Sequence, residues 1–101
     1  MPVLVVTEVA HLLASRLGVE AEVRFLGDFA AGNLISESVA GEDWLRMAEL
    51  VGRYRDLPLG TVDASVVAAA ERLRIAQIAT LDHRHFTVVR PAHLPAFELL
   101  P

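Results

Sequence analysis

Cysteine and lysine are both absent from the 101-residue chain. Without cysteine there is no disulfide framework, no thiolate metal site and no cysteine nucleophile. Without lysine, all nine side-chain cations other than histidine are arginines, whose planar fork matches phosphate or carboxylate. Aromatic residues are scarce, at 6%, so the interleaved aromatics of a base-stacking platform are missing. Long apolar runs are missing too. The longest, Met1–Val6 and Val66–Ala70, fall far short of the roughly 20 residues of a membrane span. Nothing at the N-terminus has the basic-then-apolar layout of a secretion signal, and the expectation is a cytoplasmic protein with no membrane partner. Finally, the chain lacks an excess of positive charge. A formal net charge of -4 argues against broad electrostatic coating of nucleic acid.

What is present is apolar: 53% of residues are hydrophobic against 22% charged. That balance excludes a disordered tail, and the length supports one domain over residues 1–101. A chain this short buries only roughly 60% of its unfolded surface, so some of the apolar surface is expected to belong against a partner or a missing piece.

Periodicity gives the elements. From Val3 to Leu17 the polar Thr7, Glu8, His11, Ser15 and Arg16 recur mostly at spacings of three and four, which predicts a helix buried on most of its circumference. Gly18 ends it. Val23, Leu26, Phe29 and Ala30 then place a second helix over Glu20 to Ala31, closed at Gly32-Asn33. Leu34-Ile35 reads as a brief strand. Glu42 and Asp43 suit the positive end of a third helix that carries Trp44, Leu45, Met47, Leu50 and Tyr54 and stops before Pro58. A fourth helix opens at Gly60–Asp63 and runs to about Leu73, with the small residues Ala68–Ala70 permitting close packing. Ile78–Leu81 reads as a buried strand, Asp82–His85 as a polar loop and Phe86–Val89 as another strand. A last short strand is expected between His93 and Leu100. Helices alternating with strands favour an α/β layered fold with a parallel sheet.

Three carboxylates are candidates for chemistry. Asp82 follows a strand, where ligands of open α/β sheets bind. Asp63 lies in the first turn of the helix preceding that strand, and Glu8 is the one acidic residue of the apolar first helix. Oxygen donors of this kind suit Mg²⁺ or Mn²⁺ and phosphodiester hydrolysis. Each also has an ordinary structural role open to it. Asp63 compensates a helix dipole or caps, with Thr61 as a competing cap. Asp82 makes a turn, and Glu8 shares a solvated stripe with His11 and Ser15. His83 and His85 flank Arg84 in a locally cationic loop that fits phosphate better than a metal. Arg53-Tyr54-Arg55 reads either as a nucleic-acid contact or as a solvated helix end. Ser15, Ser36, Ser38 and Ser65 lack the glycine setting of a nucleophile elbow.

The runs Tyr54–Leu59, Asp63–Leu73, Ile78–Phe86, Val89–Pro91 and Phe97–Pro101 together resemble the C-terminal half of PIN-domain proteins, most closely VapC-type toxins of bacterial toxin–antitoxin pairs. Thr7–Leu13 resembles the family helix that carries its second acidic residue. The resemblance implies a PIN-like three-layer α/β fold with a short parallel sheet flanked by helices. It also implies a Mg²⁺- or Mn²⁺-dependent endoribonuclease that cuts structured RNA such as tRNA or rRNA, acts as a homodimer and is restrained by a VapB-type antitoxin. Glu8, Asp63 and Asp82 match its catalytic, metal-binding carboxylates, with Thr80 behind Asp82 and Arg84 as a contact to RNA phosphate. Crowded carboxylates repel one another, so a cation is favoured among them.

Relatives begin with a central strand ending in another metal-binding Asp, and the comparison places that segment upstream of Met1. A late start codon, a fragment of a complete toxin, or a short protein that completes its sheet with another chain would each account for this. An exposed sheet edge seeks a partner, so the 101-residue chain is not expected to be a well-behaved monomer. The alternative function is a truncated, non-catalytic PIN remnant that binds an antitoxin or dimerises.

Overall fold

The computed structural model describes residues 1–57, 59–79, 88–93 and 95–100. It divides into two compact units, Met1–Val39 and Ala40–Pro101.

The first unit is a helix pair, α1 (Val3–Leu17) and α2 (Val19–Ala30). Gly18 joins them at φ +92, a conformation in which a side chain is strained, and its N–H bonds the Ala14 carbonyl. Glu20 and Glu22 occupy the first turn of α2, where its dipole favours negative charge. Phe25 and Phe29 meet edge to face with ring centroids 5.2 Å apart. Past Gly32, at φ +81, the chain returns to its own start. The Glu37 N–H donates to the Met1 carbonyl (2.7 Å), the Val3 N–H to the Glu37 carbonyl (2.8 Å) and the terminal ammonium to the Ile35 carbonyl (2.9 Å).

Two expectations are corrected here. Leu34-Ile35 forms no strand; a lone parallel bridge between Pro2 and Glu37 stands in its place. Proline at position 2 has no N–H to extend a ladder. Nor is α1 buried on most of its circumference. Ala10 is its one buried residue, and Leu17 is 71% exposed. Within this unit one helix neighbour covers α1, and one neighbour hides a single stripe.

The second unit contains α3 (Gly41–Arg53), α4 (Thr61–Leu73) and the strands β1 (Gln77–Ala79) and β2 (Glu98–Leu100). The strands pair in parallel, Gln77 opposite Glu98 and Ala79 opposite Leu100. The core joins Met47 and Leu50 of α3 to Ala64, Val67 and Ala68 of α4, closed by Leu59, Val89 and Phe97. Alanines on α4 keep the second helix thin where it packs. The two helices run antiparallel, because Asp43 near the start of α3 pairs with Arg72 near the end of α4 and Arg46 pairs with Glu71. At the end of α4, Arg74 adopts the left-handed conformation (φ 56). The N–H groups of Arg74 and Ile75 return to the Glu71 and Ala70 carbonyls, which is a Schellman stop.

The strand expected over Ile78–Leu81 starts one residue earlier, at Gln77, and its positions 80 and 81 lie outside the described residues. The strand expected over Phe86–Val89 is corrected at its described end. Val88 is helical and Val89 belongs to no strand. Val89 is fully buried, and the next N–H, that of Arg90, is bound by the Tyr54 hydroxyl (3.0 Å) rather than by a neighbouring strand.

Candidate functional site

Asp63 stands half-buried in the first turn of α4. The N-cap residue is Gly60, which has no side chain to cap with; Thr61 and Asp63 are both within the helix, so neither occupies the N-cap position. The buried Ala64 and Ser65 next to it fix this turn in place, and the Ser65 hydroxyl donates to the Val62 carbonyl (2.6 Å). Glu8 is exposed on α1, in the other unit, with His11 and Ser15 likewise exposed. Asp82, Thr80 and Arg84, together with His83 and His85, lie outside the described residues. Among the described residues no three His, Cys, Asp or Glu side chains gather as a metal group. In donor chemistry the set Glu8, Asp63 and Asp82 is all carboxylate oxygen, which fits a hard divalent cation.

The position of Asp63 follows from the local sequence. Tyr54 ends α3, and its carbonyl accepts from the N–H groups of Leu57 (3.0 Å) and Leu59 (3.3 Å). Buried Leu59 anchors the connection and Gly60 supplies the extended residue from which α4 starts. The antiparallel helix pair therefore brings the C-terminus of α3 and the N-terminus of α4, with Asp63, to one end of the unit.

At the opposite end is a group of ion pairs that sequence spacing does not reveal. Arg46 grips Glu71 with both arms, Nε to Oε1 at 2.7 Å and an Nη to Oε2 at 2.9 Å. Arg46 also reaches the exposed Glu49 at 3.4 Å. Arg72 donates to both oxygens of buried Asp43 (3.1 and 3.2 Å), and the Asp43 carboxylate also accepts the Ala40 N–H at the start of α3. Glu71 has a third donor in the N–H of Ala92. Burial opposes ionisation of Glu71, but the hydrogen bonds from Arg46 and Ala92 and the nearby charges of Arg46 and His93 outweigh it and hold the carboxyl below its ordinary range. Arg46 is shifted upward, chiefly by its hydrogen bond to Glu71.

The residues leading to β2 are held by the same end of α4. His93 Nε2 donates to the Ile75 carbonyl (2.8 Å), its ring meets Phe97 at 6.2 Å, and its Nδ1 is buried with no partner among the described residues. Glu71 and His93 thus tie the last strand to the helix that carries Asp63. Arg46–Glu71, Arg72–Asp43, Ala92–Glu71 and His93–Ile75 join residues 18 to 29 apart in the chain, beyond any helical spacing rule.

Two comparisons bear on this arrangement. Residues 1–90 match the family model described as PIN domain. The chain is also 36% identical over 97 residues to Ribonuclease VapC26 of Mycobacterium tuberculosis (strain ATCC 25618 / H37Rv), an alignment covering 96% of this chain and 72% of that protein.

Proposed function

The chain belongs to the PIN-domain family as a VapC-type member, and from that premise we propose that it is a metal-dependent endoribonuclease toxin hydrolysing RNA phosphodiester bonds. The observation that carries the reading is the 36% identity to a ribonuclease across nearly the whole chain. The family match runs through both compact units, which supports treating residues 1–101 as one PIN-like domain.

Glu8, Asp63 and Asp82 are the carboxylates that would hold Mg²⁺ or Mn²⁺. When bound, such a cation lowers the pKa of a water and neutralises charge on the phosphate. The chain's own contribution is placement. The first turn of α4 fixes Asp63 on a rigid element. The strand that follows a helix in an α/β unit runs back along it, so β1 itself is directed toward the end where Asp63 stands. Thr80 and Asp82 follow β1 in the sequence and lie outside the described residues. Thr80 would steady the carboxylate, and Arg84 would take an RNA phosphate through its fork. As a VapC-type toxin it would be paired with a VapB-type antitoxin, cut structured RNA and work as a homodimer in the cytoplasm. Among the described residues, no helix is long and apolar enough to cross a membrane.

The test is RNA cleavage in Mg²⁺ or Mn²⁺ by the wild-type chain and by Glu8→Gln, Asp63→Asn and Asp82→Asn. Weakening even the outer contacts of a metal site costs about 10- to 100-fold, so each ligand substitution is expected to cost at least that much. Undiminished cleavage by Asp82→Asn removes the site assignment, and no cleavage by the wild type removes the catalytic reading of this chain.

A further inference from the structure

Four arginines of the second unit, two at each end of its helix pair, stand in different settings. Arg46 and Arg72, at the end of the helix pair away from Asp63, are neutralised by Glu71 and Asp43. At the other end, beside the start of α4, Arg53 and Arg55 are exposed and neither has a carboxylate partner among the described residues. Both are nevertheless held in place. The Arg53 guanidinium lies over the Tyr54 ring, 5.5 Å from its centroid. Arg55 folds back so that Nε donates to the Gly52 carbonyl at 2.9 Å, with an Nη atom 3.8 Å from where a side chain on Gly52 would begin. That bond leaves the terminal amino groups of Arg55 to donate outward. The Tyr54 hydroxyl accepts the backbone N–H of Arg90, which holds the ring in place beneath Arg53. The acidic residue of this segment, Asp56, is exposed and bonds to none of them.

We propose that Arg53 and Arg55, flanking Tyr54 at the end of α3, form a docking patch for the phosphate backbone of RNA at the end of the unit that presents Asp63. This rests on the ribonuclease reading and extends it to where the substrate strand is held. A chain of net charge -4 that gathers carboxylates at its site repels a polyanion. Fixed guanidinium groups at the same end reverse that repulsion locally, and their fork accepts phosphate in pairs of hydrogen bonds. The tyrosine ring is engaged by the Arg53 guanidinium on its face and by a backbone N–H at its hydroxyl, so it serves as scaffold and the contact is to backbone rather than to base.

The experiment is fluorescence anisotropy with a 5′-fluorescein single-stranded RNA in EDTA, where binding is separated from cleavage, followed as a function of NaCl. Removing two contacts to single-stranded phosphates lowers the slope of log affinity against log salt by about 1.4, at about 0.7 each. Arg53→Ala combined with Arg55→Ala is expected to show this drop together with roughly tenfold weaker binding near 0.1 M salt. The pair Arg53→Lys, Arg55→Lys is expected to recover most of the slope. The pair Arg16→Ala, Arg24→Ala removes the same charge from exposed positions of the other unit and is expected to keep it. Salt-dependent binding by the wild type that the Arg53/Arg55 pair leaves unchanged, or that the Arg16/Arg24 pair reduces equally, overturns the patch and leaves the ribonuclease reading standing. A wild type that binds no RNA overturns both.

Discussion

Arg46→Met is the substitution whose consequence can be worked furthest. It removes the two-armed grip on Glu71, at 2.7 and 2.9 Å, and leaves a carboxylate whose side chain is only 10% exposed. Hydrogen bonds to charged groups contribute about 1.5–3 kcal/mol, and stranding one partner of a fully buried pair costs about 3–5. Arg46 itself is 26% exposed and the Ala92 N–H stays in place, so about 2–3 kcal/mol is expected. Loss of the exposed Glu49 contact adds less than about 0.5. Acid supplies the check. In the wild type, the Glu71 carboxyl is held below its ordinary value of 4.5, so its pairing stabilises the fold fully above that value. That contribution is lost as pH falls through the lower folded value. In Arg46→Met, burial is opposed only by Ala92 and His93, the carboxyl titrates higher, and protonation relieves the stranded charge. The difference between the two proteins in urea unfolding should therefore be greatest at pH 7 and narrow steadily below about pH 4.5. A difference under about 0.5 kcal/mol at pH 7, or one that does not shrink in acid, would show that Glu71 is not held by Arg46 as described.

Two further outcomes can be measured in the same urea titration. Ala68, 2% exposed on α4, has no room for added carbons, so Ala68→Leu should destabilise by about 1–3 kcal/mol through overpacking, and a neutral result would mean that the α4 core has slack. Arg74→Gly removes the cost of a left-handed residue, about 1–2 kcal/mol, against about 0.4–1 of added freedom in the unfolded chain, so the midpoint should rise slightly and a fall would contradict the strain at φ 56.

The helices were legible because their signals are local. Gly18 and Gly32 end their helices at positive φ as punctuation, and Asp43 sits at the start of α3 to receive the Ala40 N–H. Asp63 was placed in a first turn by the Gly60–Asp63 signal and is found there. Short strands were less legible, since two or three apolar residues fit a core segment as well as a ladder. Val89 is such a case: its burial was readable, but its neighbour's N–H goes to a tyrosine 36 residues away. The α1 surface was misjudged because hydropathy counts apolar residues and is silent on how many neighbours cover them. Asp82 and Arg84 are legible from position and local charge, after an expected strand and in a cationic loop, whereas Thr80 is named by the family resemblance alone.

The absence of lysine acquires a physical meaning from this arrangement. Arg46 meets the two oxygens of Glu71 with two nitrogens, and Arg72 brings both Nε and an Nη to Asp43, a fixed fork that a single ammonium lacks. Those pairs lock the helix ends and hold the segment before β2 against α4 through Glu71. Arg53 lies on a ring and Arg55 is pinned by one nitrogen, arrangements that keep a cation in place without neutralising it. One residue type thus serves opposite purposes at the two ends of the same helix pair. Arg46 and Arg72 are paired with carboxylates where the helices are clamped, whereas Arg53 and Arg55 are held by a ring and a carbonyl. A chain negative overall is in this way positive where an RNA strand would need it to be.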